Sequence, residues 1–372
     1  MNQGFLKRFA SVFLACLFLM GIASGCGNNT ASPGTASSTG SASTPLQSSS
    51  KGFDTLNVGV LVRTVGLPAF YAQDKGWFEE AGLDVNLVIF PTGVPVNEAI
   101  AAKQIDIACS GFASIYSLAS GGCSWIADIN TTGGMGVYAR PDSPVVQETG
   151  NVPDQPDILG SADTLRGAKI LGALGTAQQF AAVNYIAKFG LTETDVEQVH
   201  MEDGPGFQAF VAGEGDLISN APPYSYDCLD NGFVEVCSFE DATNVAMMDG
   251  CFARNDVIEN RAEEVKIFLE VLVRAMDELE SDEDLRFEFS LNKYHENARE
   301  FTDESMRMEI QDRKFVGKNY LSAPDYVFGE AMAPIAEFLT TQGKVVEDNL
   351  PNVEASLDPS LLGQATGLPI NK

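Results

Sequence analysis

Histidine is nearly absent from this chain: 372 residues hold only two, His200 and His295. They fall in different segments and show no ligand-like spacing to a partner, so a structural role is read for each. There is no HExxH, no paired CxxC, no GxSxG and no GxxxxGK[ST], and with them go the common metal, thiol, acyl-transfer and nucleotide chemistries. Gly133, Gly134 and Gly136 resemble a glycine-rich loop only faintly, and a strand pattern follows directly, which reads as a crossover turn. No metal site and no cofactor is expected. Basic residues are also scarce, 23 against 51 acids, for a formal net charge of −28. Lys7 and Arg8 stand among residues 1–25 without any acid, so the remainder carries −30. Such a surface repels phosphate backbones and argues against nucleic acid as a partner. It does not name a ligand, because surface charge and pocket charge are separate matters. After Cys26 no apolar run is long enough to span a membrane.

What is present begins with a targeting segment, residues 1–25. Lys7 and Arg8 form its basic part, Phe9 to Ile22 its apolar part, and Ala23-Ser24-Gly25 precede Cys26 as in a lipobox, with Ala where Leu is usual. Cleavage elsewhere and an uncleaved anchor are the alternatives to lipidation at Cys26. Residues 26–52 are almost wholly Ser, Thr, Gly, Ala, Asn and Pro. That composition cannot bury enough apolar surface to order itself and reads as a tether. About 25 such residues span roughly 27 Å end to end. Hydrophobic residues make up 45% of the chain, ample for one large core or two smaller ones.

The stretch from Leu56 to Gly111 alternates strand and helix patterns. Leu56–Val62 reads as a buried strand. Pro68 suits the first turn of a helix that runs through Ala72, Trp77 and Phe78 and stops at Gly82. Val85–Phe90 is a second strand, Pro95 opens a second helix, and Ile105–Ala108 is a third strand ending at Ser110 and Gly111. Such alternation implies parallel pairing and a sheet covered on both faces.

The order GLPAFYAQDKGWFEEAGLDVNLV, then GVPVNEAIAAKQIDIACSG, resembles the opening of bacterial solute-binding proteins of the sulfonate, taurine and nitrate type. That group also includes binders of thiamine-precursor pyrimidines. The likeness extends over Leu56 to Gly363, with PNVEASLDPSLLG resembling the family's tail. It implies an α/β, two-lobed type II periplasmic-binding fold, each lobe a mainly parallel sheet flanked by helices, joined by two crossover strands. It also implies a small-molecule solute, a membrane-embedded ABC permease as partner, and a monomer.

The rest of the chain is read in that frame: 53–140 as the first lobe, 141–245 as the second, and 246–372 as the return to the first. Helices are expected at Phe112–Ala119, Phe207–Ala212, Glu264–Leu279, Asp303–Val316 and Tyr326–Leu339. Strands are expected at Trp125–Ile129, Met135–Arg140, Val196–Met201, Asp216–Ser219 and Val245–Phe252. Another strand lies within LRGAKILGALG, and residues 142–162 read as a loop. Thr176 and Gln179 fit a capping box for the helix that Gly190 ends. Five cysteines lie beyond the tether: Cys109, Cys123, Cys228, Cys237 and Cys251. Burial as free thiols is favoured over pairing such as Cys228 with Cys237.

In open α/β sheets ligands sit beyond the carboxyl ends of the strands. The loops there offer Gly66, Leu67 and Phe70; Ser110 and Gly111; Thr176, Ala177 and Gln178; and Asn220 and Tyr224. Their amides and hydroxyls suit an anionic group, whereas Phe70 and Tyr224 could stack on a ring. Helix capping is the alternative use of each hydroxyl. Arg63, Arg140 and Arg254 are the nearest basic residues by sequence. The expected function is capture of an anionic or heteroaromatic solute for an ABC importer, from a lipid-anchored, extracytoplasmic position. A pyrimidine-synthesising enzyme on the same fold is one alternative, disfavoured by the poverty in His and clustered Cys. A signalling surface receptor is another, disfavoured by the missing span.

Overall fold

A computed structural model describes residues 53–372. The targeting segment, Cys26 and the tether lie outside the described residues. Ten strands form two five-stranded sheets. They are β1 Leu56–Leu61, β2 Val85–Phe90, β3 Ile107–Ser110, β4 Cys123–Thr131, β5 Gly136–Ala139, β6 Lys169–Gly172, β7 Glu197–His200, β8 Leu217–Asn220, β9 Val234–Ser238 and β10 Met248–Arg254. The first sheet has the order β2-β1-β3-β10-β4 and the second β7-β6-β8-β5-β9. In the first, β1 runs parallel to β2 and β3, while β10 is antiparallel to β3 and β4. In the second, β6 runs parallel to β7 and β8, while β5 is antiparallel to β8 and β9. Each sheet thus takes one reversed strand, the one by which the chain has just arrived from the other lobe.

The sheets are apolar because helices cover them. In β1 every residue but Asn57 is buried. The helix Ala262–Ser281 lays Val265, Phe268, Leu269, Leu272, Val273, Met276 and Leu279 into the first lobe, a stripe at helical spacing. Phe268 stacks on Phe78 with centroids 5.5 Å apart, and Arg274 caps the packing from outside, 3.7 Å above the Trp77 ring. Burying one such side chain stabilises by about 1.5–3 kcal/mol. The five cysteines of the described residues are free and buried. Burial pushes the thiol of Cys123 up to about 11 and those of Cys228 and Cys237 up to about 12.

Several boundaries differ from those expected. The chain passes between sheets at residues 132–135, so β5 belongs to the second sheet and not to the first lobe. Strand β9 and the helix Glu283–Glu296 go beyond the expected elements. The helix begun at Asp303 stops at Asp312, because Lys314 and Phe315 leave it to bond with Thr131 and to bridge to Asn130. The helix expected from Tyr326 starts only at Met332. Tyr326 is instead buried, its hydroxyl donating to Asp128 at 2.7 Å.

Candidate functional site

The carboxyl ends of β1 and β3 face those of β6, β7 and β8 across a cleft. On the second lobe Gln178, Asn220 and Tyr224 converge on the first turn of the helix Asp203–Val211. Thr176 is the N-cap of the helix Ala177–Ala187 and accepts from the Gln178 amide. Its hydroxyl donates to the Ala173 carbonyl at 2.6 Å, so this donor is used inside the lobe. Gln179 accepts from the amide of Gly175, one residue before the N-cap, which replaces the expected capping box by a looser pair of caps. Gln178 is buried, its Nε2 donating to Asp203 Oδ1 at 2.8 Å and its carbonyl accepting from Ser219. Asn220 is buried too, its Nδ2 3.4 Å from the Asp203 carbonyl. Tyr224 packs on Phe207 with ring centroids 5.9 Å apart. Its hydroxyl lies 2.8 Å from where a Cβ on Gly204 would sit, so glycine there lets the ring close on the turn. Ala177 is buried in the core.

On the first lobe the expected residues divide. Leu67 and Phe70 are core residues, and a Cβ on Gly66 would lie 2.1 Å from the Leu61 carbonyl oxygen, so these three build the lobe. Ser110 ends β3, with its hydroxyl buried and without a hydrogen-bond partner among the described residues, as are those of Ser114 and Ser225. A Cβ on Gly111 would meet Asp249 Oδ1 at 1.9 Å, so glycine is what lets this carboxylate lie against the backbone. Burial raises the pKa of Asp249, opposed by Arg313 and by the Asn130 amide, which donates to it at 3.3 Å.

Of the three arginines singled out by sequence, only Arg63 lies in the cleft. Its guanidinium reaches Asp203 Oδ2 of the other lobe at 3.2 Å. Arg140 instead donates to the carbonyls of Phe210, Glu214 and Gly215, beside the opening residue of β8. Arg254 pairs with Asp106 and Asp256 at the amino end of β3. Both are structural, because each satisfies backbone or carboxylate acceptors at the far edge of its sheet.

A third wall comes from the returning segment, unforeseen by sequence. Buried Glu309 accepts from the hydroxyls of Thr64 and Tyr294. Buried Arg313 donates to the Gly133 carbonyl at 3.0 Å and lies 4.0 Å from Asp249. Arg299 stands 5.7 Å over the Tyr294 ring. The lobes also touch through apolar groups: Phe180 of the second lies 5.9 Å from Phe112 and 4.5 Å from Phe338. A hollow of about 1140 Å³ beside the helix Ala262–Ser281 contains none of these cleft residues. The histidines stand apart: His200 is exposed and accepts from the Leu174 amide, and His295 bonds the Phe301 carbonyl. Among the described residues no group of three or more His, Cys, Asp or Glu is placed to hold a metal ion, and no helix is long and apolar enough to cross a membrane.

Residues 64–150 match the family model described as NMT1/THI5 like. A Brachyspira hyodysenteriae protein, provisionally named an ABC transporter periplasmic binding protein, is 28% identical over 355 residues, covering 95% of this chain and 96% of that one. A Bacillus subtilis protein provisionally named as aliphatic sulfonates-binding is 24% identical over 214 residues, 56% of this chain and 61% of its own. Among solved structures, the periplasmic aliphatic sulphonate binding protein SsuA from Escherichia coli superposes with a TM-score of 0.64 at 14% identity, over 81% of this chain and 92% of that one. The periplasmic nitrate-binding protein NrtA from Synechocystis PCC 6803 gives 0.65 at 12% identity, over 84% and 88%. This chain therefore has the periplasmic-binding-protein fold and carries an NMT1/THI5-like segment that runs from the first lobe through β5.

Proposed function

We propose that this chain is the extracytoplasmic solute-binding component of an ABC importer, lipid-anchored through Cys26, that captures a small anionic or heteroaromatic solute. The observation that carries this reading is the cleft itself. Two sheets turn their carboxyl ends toward each other, two passages of chain join them, and Arg63 meets Asp203 across the gap. That is the arrangement of a hinged clamp. The sulfonate- and nitrate-binding names of the relatives support the anionic class. The buried hydroxyls of Ser110 and Ser114 suit a solute that accepts hydrogen bonds, since a buried donor without a partner costs about 1–3 kcal/mol. The cleft then works by binding without turnover, and the monomer is the working form.

Isothermal titration against sulfonates, nitrate, pyrimidines and aromatic acids tests the reading. Stoichiometric binding with the solute recovered unchanged is expected. Consumption of the solute would replace transport by catalysis.

A further inference from the structure

Six ionisable side chains gather at the cleft: Arg63, Arg299, Arg313, Asp203, Asp249 and Glu309. Their partners are unevenly shared. Arg63 reaches Asp203 at 3.2 Å, and Arg313 lies 4.0 Å from Asp249. Among the described residues Glu309 has no cation within 4.0 Å but accepts from two hydroxyls, those of Thr64 and Tyr294. Arg299 is left over: among the described residues its guanidinium meets no carboxylate within 4.0 Å and makes no hydrogen bond. It rests over the Tyr294 ring at 5.7 Å, and Tyr294 is itself fixed by the 2.9 Å bond to Glu309. Glu309 also holds Thr64, the residue after Arg63, so Arg63 and Arg299 belong to one connected wall.

The end of the preceding helix sets where Arg299 leaves it. The helix Glu283–Glu296 ends in a turn in which Ala298 takes φ +55° and the Arg299 amide bonds back to the Tyr294 carbonyl at 2.9 Å. The Ala298 amide bonds in turn to the His295 carbonyl at 3.0 Å, so this is a Schellman-type cap that fixes the Arg299 backbone to the helix end. Dehydration, and after it the neighbouring charge of Arg63, push the Arg299 pKa down to about 10, against the pull of Tyr294, Glu309 and Asp203. A half-buried guanidinium whose donors are engaged by no protein group among the described residues is open to an incoming anion.

We propose that Arg299 anchors the anionic group of the captured solute, offering its planar donors into the cleft beside Arg63. This rests on the solute-binding reading above and narrows it to solutes bearing a sulfonate, carboxylate or similar oxyanion. Arg299 is a binding residue in this assignment, and Tyr294 and Glu309 position it.

The test uses sulfate as the probe on the purified protein, with chloride holding ionic strength constant. Wild type should show a saturable rise in Tm with sulfate. Arg299→Gln should weaken the sulfate response at least tenfold, while its ligand-free Tm stays level, because the half-buried guanidinium bonds no protein group among the described residues. Arg299→Lys should fall between the two, keeping the charge without the fork. The assignment is overturned by a wild type that shows no saturable response. It is equally overturned by Arg299→Gln binding sulfate as wild type does, or by a lower ligand-free Tm with unchanged affinity, which marks a structural arginine. If Arg299→Gln keeps full affinity for a solute found by panel titration, the anchor fails and the transport reading stands. If no panel solute binds wild type, the transport reading fails independently of the sulfate result.

Discussion

The Tyr226 hydroxyl donates to Asp312 Oδ2 at 2.9 Å, tying the second lobe to the returning segment directly behind the first passage between the lobes. That passage, Thr132 to Met135, is clamped on both sides. A Cβ on Gly133 would lie 2.3 Å from the Asp312 carbonyl oxygen, and one on Gly134, at φ +80°, would lie 2.2 Å from the Tyr226 hydroxyl. A hinge absorbs backbone rotation in a few residues, and Gly133 and Gly134 are the residues of this passage with the backbone freedom for it.

Gly134→Ala should therefore disfavour the closed arrangement. The left-handed backbone alone costs about 1–2 kcal/mol, and the methyl group must also displace Tyr226. Gly76→Ala is the control, because Gly76 has φ +70° and open space around it. Both variants should lose about 2–4 °C in Tm per kcal/mol. Only Gly134→Ala should lose affinity for the solute, by roughly two- to tenfold. Equal affinities in the two variants would show that the glycine pair is a turn and not a hinge.

How much of this was legible in the residues differs between fold and site. The two α/β lobes follow from period and punctuation: β1 alternates and then runs apolar, and Gly190 stops its helix; the helix expected from Pro68 to Gly82 is instead broken at Gly76, φ +70°, into Leu67–Asp74 and Trp77–Glu80. Three members of the second-lobe cluster, Gln178, Asn220 and Tyr224, were legible from their places at or just after strand ends, but its centre, Asp203, was not. The third wall was not. Arg299, Glu309 and Arg313 lie in a polar stretch where charge is normally solvated, and only tertiary packing turns them inward. Asp249 did leave a signal, an acid inside the apolar run VAMMDGCFA. Arg140 and Arg254 misled because they stand near strand ends in sequence, but at the amino edge of each sheet.

Arg254 supplies a prediction in pH. The hydrogen bond from Lys103, and next that from Arg254, hold the Asp256 carboxyl at about 2, against about 3.9 in an unfolded chain. A carboxyl depressed on folding adds stability that is complete above pH 4 and is lost as pH falls through 2. Asp256→Asn should be less stable than wild type at pH 7, by under about 1 kcal/mol since Asp256 and Lys103 are exposed. The gap in urea midpoint should close between pH 4 and pH 2, and solute affinity should not change. A gap that persists at pH 2 would trace the loss to packing.

The anchor is tested in the cell. Cys26→Ser should abolish incorporation of labelled fatty acid and move most of the protein from the membrane to the soluble fraction, because stable anchoring takes more than one acyl chain. Labelling that survives the substitution would exclude Cys26 as the modified residue.

The last prediction concerns the contact that spans the cleft. Asp203 binds Gln178 of its own lobe through one oxygen and Arg63 of the other lobe through the second. Its side chain is 12% exposed and that of Arg63 26%, so water screens the pair in part and it is worth no more than about 1 kcal/mol. That is still about fivefold in the ratio of closed to open lobes. Asp203→Asn keeps the size and an acceptor for Gln178 but removes the attraction across the gap. Without solute, small-angle scattering should show a larger radius of gyration for Asp203→Asn than for wild type. High salt should erase the difference by screening the wild-type pair. Sulfate should bind the variant more tightly, since Arg63 then lacks its internal carboxylate and joins Arg299 in holding the anion. If the two proteins scatter alike at low salt, the apolar contacts of Phe180 with Phe112 and Phe338 hold the lobes together, and the ion pair merely follows.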